Sequence, residues 1–141
     1  RQLDSNTIER RKMATDDARK ATDAELDILN VLWQVGPSTV RAVHDAMTRL
    51  RDIRYTTTLK TLQVMTGKGL VSRDESSRAH IYAAAVGQRE TQRSLAGELV
   101  EKVFGGSAAG LVAGALSAKK ASPEELAKIR QLLDDAEEDA R

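Results

Sequence analysis

The chain has 141 residues, 40% hydrophobic but only 3% aromatic, so it can hold one ordinary domain plus an appendage around an aliphatic, helix-rich core. It has no cysteine, which excludes disulfides and thiolate metal sites and fits a reducing, cytoplasmic setting. No apolar run approaches the roughly 20 residues of a membrane span and no signal peptide is visible, so membrane insertion is not expected. The net charge of +1 is segregated: residues 39–80 carry eight basic and four acidic side chains, residues 121–141 three basic and seven acidic. A basic head and an acidic tail imply an electropositive surface on one module only.

Residues 1–21 carry Arg10-Arg11-Lys12 and few large apolar side chains, and are expected to be a mobile leader. Met13 is a plausible native start, so residues 1–12 receive no functional weight. Thr22-Asp23-Ala24-Glu25 is a capping box, and Leu26, Leu29, Leu32 and Trp33 form the stripe of the helix that follows, with Ile28 beside it. Gly36-Pro37 ends that helix, because proline cannot continue it. Ser38 or Thr39 caps the next, whose buried side is expected at Val40, Val43, His44, Met47 and Leu50. A loop with Arg51, Asp52 and Arg54 leads into the segment 55–70.

That segment predicts an amphipathic helix. At about 100° per residue, Thr58, Leu59, Leu62, Met65 and Thr66 share one side, and Thr57, Lys60, Thr61, Val64 and Lys68 the other. Lysine among short hydroxyl side chains suits a nucleic-acid groove: lysine meets phosphate or guanine, and threonine donates, accepts or touches a thymine methyl. The helix is expected to stop at Gly67-Lys68-Gly69. Leu70-Val71-Ser72-Arg73, the turn Asp74-Glu75-Ser76-Ser77 and the return Arg78-Ala79-His80-Ile81-Tyr82 predict a basic hairpin. Helix, glycine stop and basic hairpin is the order of a winged helix-turn-helix.

Three more helices are expected after the head. Residues 88–104 place Leu95, Leu99, Val100, Val103 and Phe104 at helical spacing before the break at Gly105-Gly106. Residues 106–118 carry Gly106, Gly110 and Gly114 at intervals of four, among Leu111, Val112 and Leu116. Ser122-Pro123-Glu124-Glu125 is a strong helix start, followed by Leu126, Ile129, Leu132 and Leu133. These stripes either fold back on the head or pair with a second copy of the chain, and pairing is the expectation. The fold class is thus mainly α with a small β-hairpin wing. It divides into a leader (1–21), a winged-helix DNA-binding domain (22–86) and a helical dimerisation domain (87–141).

The head resembles the BlaI/MecI penicillinase-repressor family of bacterial winged-helix regulators. The resemblance is carried by Thr22-Asp23-Ala24-Glu25-Leu26-Asp27-Ile28-Leu29, Leu32-Trp33, Val40-Arg41-Ala42-Val43, Tyr55-Thr56-Thr57, Thr61-Leu62, Lys68-Gly69-Leu70-Val71 and Arg78-Ala79-His80-Ile81-Tyr82. It covers about residues 22–138. It implies a homodimeric transcriptional repressor that binds a dyad-symmetric, double-stranded DNA operator through the head and dimerises through the C-terminal helices. The implied DNA contacts are Arg41, Arg54, Tyr55, Thr56, Thr57, Lys60, Thr61, Lys68, Arg73 and Arg78. The implied dimer contacts are Leu95, Leu99, Val103, Phe104, Leu111, Val112, Leu116, Leu126, Ile129, Leu132 and Leu133. The family usually has a basic residue at the position of Val64 and a bulky charged pair at Thr66-Gly67. Its staphylococcal members are cut at an Asn-Phe bond by a membrane-bound sensor protease. The equivalent bond here is Gly114-Ala115, without those residues. The cysteines of the copper-responsive branch are absent.

No metal ligand set, cofactor motif or catalytic constellation is visible. His44 and His80 stand 36 positions apart without cysteine, and no phosphate-cradling loop, activated nucleophile or paired acid is present. His44, on an apolar stripe, reads as a packed or hydrogen-bonded histidine, and His80 as a phosphate donor or a packed strand residue. The alternative to a repressor is a winged-helix module that binds protein, since fold alone does not settle function. Steep salt dependence separates the two, because binding to several phosphates releases counterions.

Overall fold

The computed structural model describes residues 4–9 and 20–141. Most of the expected leader lies outside the described residues. Within it, 5–9 is helical, with the Thr7 N–H donating to the Asp4 carboxylate at 2.6 Å.

Helix α1 (Asp23–Val35) begins at the capping box. The Glu25 N–H donates to Thr22 Oγ1 at 3.2 Å, and the Thr22 N–H donates back to Glu25 Oε1 at 2.9 Å. The helix ends at Gly36, whose φ of 84° no side-chain-bearing residue adopts readily. Strand β1 (Ser38–Thr39) follows, and Thr39 caps helix α2 (Val40–Met47) by accepting from the Ala42 N–H at 3.1 Å. Because α2 stops at Met47, the helical register does not carry on to Leu50. That side chain, expected on the buried side, is 60% exposed.

Helix α3 (Tyr55–Lys68) runs through Gly67 and is capped at Gly69, with φ 79°. The Leu70 N–H donates to the Met65 carbonyl at 3.0 Å, closing the last turn. Strands β2 (Val71–Asp74) and β3 (Ile81–Ala84) form the wing, with Val71 opposite Ala84 and Asp74 opposite Ile81. Arg78 therefore lies in the tip rather than on the returning strand. The sheet has a third strand that the sequence reading lacks: β1 pairs with β3, Ser38 opposite Tyr82, giving the order β1-β3-β2. Two residues are too few to show any alternation.

The core of the head draws Ile28, Leu29 and Leu32 from α1, Val43 and Met47 from α2, Leu62 and Met65 from α3, and Leu70, Val71, Tyr82 and Val86 from the wing and its exit. Thr58 and His44 are also buried there.

Helix α4 (Gln88–Lys102) follows, then Gly105 and Gly106, both at positive φ. Helix α5 (Ala108–Ala118) is capped by Ser107, and α6 (Pro123–Asp139) by Ser122, which accepts from the Glu125 N–H at 3.1 Å. The chain divides into one compact unit ending at Glu98 and a second spanning Leu99–Arg141. The division thus falls inside α4, beyond the expected boundary at 86/87. The reason is visible in the first unit: Val86 and Thr91 are buried, and the Trp33 Nε1–H donates to the Val86 carbonyl at 2.9 Å.

In the second unit Phe104 lies across α5. A Cβ added at Gly110 or Gly114 would approach its ring to 3.4 or 3.2 Å, so the glycine spacing makes a seat for Phe104. No residue of 99–141 is buried in the single chain.

Candidate nucleic-acid interface

α3 is held by one face and free on the other. Leu62 and Met65 are fully buried, and Thr58 faces the same way. A hydroxyl in a core needs a partner, and Thr58 Oγ1 has one in His44 Nδ1 at 2.9 Å. This bond ties α2 to α3 and sets the angle at which α3 is presented. His44 is therefore a hydrogen-bonded core histidine. Its pairing was open to inference, because two polar residues fall on facing apolar stripes.

The opposite face carries Thr56, Thr57, Lys60 and Val64, all exposed, with Thr61 partly so. At the first turn Arg54 makes no side-chain cap. The leading N–H groups and the positive end of the helix dipole are thus left for an anion. Tyr55 is braced there from two sides. The His44 ring meets it edge-on at 5.3 Å, and the Arg41 guanidinium lies 4.6 Å above its centroid. Arg41, Arg54 and Tyr55 therefore gather at one end of α3. Thr56, Thr57, Lys60, Thr61 and Val64 line a groove along it, whose other wall is Thr22, Ala24 and Glu25.

Lys68 also reaches this groove, but its ammonium is engaged. Nζ donates to both Glu25 oxygens at 3.0 Å, and Glu25 is only 2% exposed. Burial pushes the Glu25 carboxyl up. The Thr22 N–H and the Lys68 ammonium outweigh burial, and the net pKa is lowered. Among the expected DNA contacts, Lys68 is thus the one whose charge already has a buried partner. A pairing across 43 positions left no mark in the sequence.

On the wing, Arg73 pairs with Glu75 and faces Tyr82 across the strands. Its pKa is raised, first by a hydrogen bond with Tyr82. Asp74 is lowered by the Ser76 N–H, which donates at 2.9 Å and shapes the tip. Arg78 and His80 are exposed in the tip region. Among the described residues, no group of three or more His, Asp or Glu side chains could hold a metal ion. No described helix is long and apolar enough to cross a membrane.

Three helices and a short three-stranded sheet, whose β2–β3 hairpin follows the exposed helix, define a winged helix-turn-helix. The chain matches the family model "Penicillinase repressor" over residues 21–135, and it belongs to that family, whose members are transcriptional repressors and not enzymes. It is 41% identical over 69 residues to the transcriptional regulator BlaI of two Mycobacterium tuberculosis strains, a match covering 48% of this chain and 50% of the relative. The chain thus spans about half the length of the curated relatives it matches.

Solved structures that are similar at low identity include the following two. One is the homodimeric winged helix-turn-helix DNA-binding domain of Mb0332 from Mycobacterium bovis, described as a possible ArsR-family transcriptional regulator. It is 24% identical with a TM-score of 0.46, covering 72% of this chain and 88% of the other. The second is YusO from Bacillus subtilis, 17% identical with a TM-score of 0.47, covering 94% and 86%.

Proposed function

We propose that the chain is a homodimeric repressor that reads a dyad-symmetric DNA operator with α3 in the major groove and the wing on the adjacent backbone. The observation that carries this is the two-faced α3, with Leu62 and Met65 buried and Thr56, Thr57 and Lys60 exposed beside Arg41, Arg54 and Tyr55. Arg73 and Arg78 on the wing are the backbone contacts of this reading.

Dimerisation is assigned to 99–141, together with Leu95 just before it. Leu99, Val103, Val112, Leu116, Leu132 and Leu133 are all exposed in the single chain. Phe104, Leu111, Leu126 and Ile129 are only partly covered. A second copy supplies the missing cover and doubles the number of heads, matching a two-fold operator. Release of repression is assigned to proteolysis in this segment by a membrane-bound sensor protease, with Gly114-Ala115 as the candidate bond. That bond lies within α5, so cutting requires α5 to unwind. Unwinding there gives up the seat of Phe104 on Gly110 and Gly114 and, in the proposed dimer, the pairing surface of Leu111, Val112 and Leu116, so cutting and loss of the dimer go together.

The test is binding of the complete chain to duplexes selected from a random pool, at several salt concentrations, alongside sedimentation at micromolar concentration. The expected results are a palindromic selected site, affinity that falls steeply with salt and a dimer mass. A monomer mass, or binding without sequence preference, overturns the proposal.

A further inference from the structure

The exposed face of α3 carries information about which bases it reads. Thr57, Thr61 and Val64 follow at spacings of four and three and lie on one stripe. Val64 is 47% exposed, an aliphatic side chain in the middle of a face otherwise composed of polar residues. Thr61 looks polar in sequence, but its hydroxyl donates to the Thr57 carbonyl at 2.7 Å. That bond uses the only proton the hydroxyl has. Thr61 therefore has no donor left for a base acceptor, and the distinctive group it adds to the stripe is its γ-methyl. Lys60, on the neighbouring flank, is left as a donor. The stripe thus offers an apolar strip beside one cation.

Of the base edges in the major groove, thymine alone combines an apolar group, the C5-methyl, with an acceptor, O4. Guanine presents two acceptors and no methyl, cytosine presents an amino donor, and both would leave Val64 facing polar atoms. The stripe from Thr57 to Val64 spans seven residues at a rise of 1.5 Å each, about 10 Å. That is about three base-pair steps of 3.4 Å.

Resting on the DNA-binding reading above, we propose that Val64 and the Thr61 γ-methyl contact thymine C5-methyl groups within a block of about four base pairs in each operator half-site, and that Lys60 lies on the same block. The chain would discriminate thymine from cytosine there by apolar contact rather than by a hydrogen bond.

The experiment uses the complete chain and a duplex it selects from a random pool. Each thymine is replaced in turn by deoxyuridine, which removes the methyl and keeps both hydrogen-bonding edges. Affinity is expected to fall about three- to fivefold at one or two positions per half-site, the scale of one apolar carbon returned to water. The same replacements should have no effect on Val64→Ala at the position Val64 covers. Thr61→Ser, which deletes only the γ-methyl, should lose sensitivity at the neighbouring position. A selected, salt-sensitive site that is indifferent to uracil throughout overturns the thymine proposal and leaves DNA binding standing. Undiminished uracil sensitivity in both variants does the same. If no duplex is selected, the DNA-binding reading fails and takes this proposal with it.

Discussion

Between residues 22 and 98, side chains from Ile28 to Val86 close into a core from which water is excluded. Between 99 and 141 leucine and valine make up a similar share of the residues, yet none is buried in the single chain. The two regions differ in contact order more than in composition. The head brings α1, α3 and β3 together across long sequence separations. Within 99–141 the close packing of Phe104 on Gly110 and Gly114 joins near neighbours in sequence. A region of the first kind folds as an isolated chain. In the proposed dimer, one of the second kind would gain its stability from association, and that stability would vary with protein concentration.

Removing everything after Glu98 tests the comparison most severely. The head should remain folded, while affinity for a full two-fold operator should drop by about 10²–10⁴-fold, the avidity lost when two linked heads become separate. Undiminished affinity measured by electrophoretic mobility shift would show that association of 99–141 plays no part in binding. Next in size is Leu62→Ala, expected to lower the unfolding free energy of the head by about 2–5 kcal/mol because the site is fully buried. Leu132→Ala, 66% exposed, should leave the unfolding of the head unchanged and weaken only self-association. Chemical denaturation followed at several protein concentrations separates the two effects.

Lys60→Ala belongs to the exposed face of the same helix. It should weaken binding to the selected operator by about 1–3 kcal/mol if the contact is to a base, with no change in melting temperature. A melting-temperature loss equal to that of Leu62→Ala would mean that α3 is turned differently about its axis.

The smallest effect is expected for Glu25→Gln, which keeps a capping side chain and removes the charge facing Lys68. About 1–2 kcal/mol should be lost, below the value for a fully buried pair because Lys68 is 36% exposed. The Glu25 pKa is lowered in the folded state from its ordinary value of 4.5. The stabilisation it contributes is therefore complete above that value and disappears as pH falls through the folded-state pKa. Stability profiles of the wild type and Glu25→Gln should differ at pH 7 and converge in acid; parallel profiles would remove the ion pair from the account.

Local chemistry made much of this architecture legible in the sequence. The Thr22–Glu25 box, Pro37, Gly69 and the Ser122-Pro123 start each mark a helix end through a bond or a dihedral that neighbouring residues determine. The exposed face of α3 was also legible, because 3.6-residue periodicity separates Thr57 and Lys60 from Leu62 and Met65. What escaped depends on partners distant in the chain. Strand β1 exists only because β3 returns beside it, and Tyr82 is buried because the sheet closes over it. Lys68, indistinguishable in sequence from a solvated lysine, is held by Glu25. Leu50 fits the stripe of α2 but lies beyond its end.

The indole of Trp33 is the only one in the chain, and it is anchored to the Val86 carbonyl within the first unit. Tyr55 and Tyr82 lie in that unit as well, and residues 99–141 contain neither tryptophan nor tyrosine. The native protein therefore carries its own optical label on one region alone. Trp33 emission should follow the opening of the head and the loss of its Val86 contact. Far-ultraviolet circular dichroism also reports α5 and α6. An interval of denaturant in which ellipticity falls while the emission maximum stays fixed would resolve the two regions without attaching a dye to either.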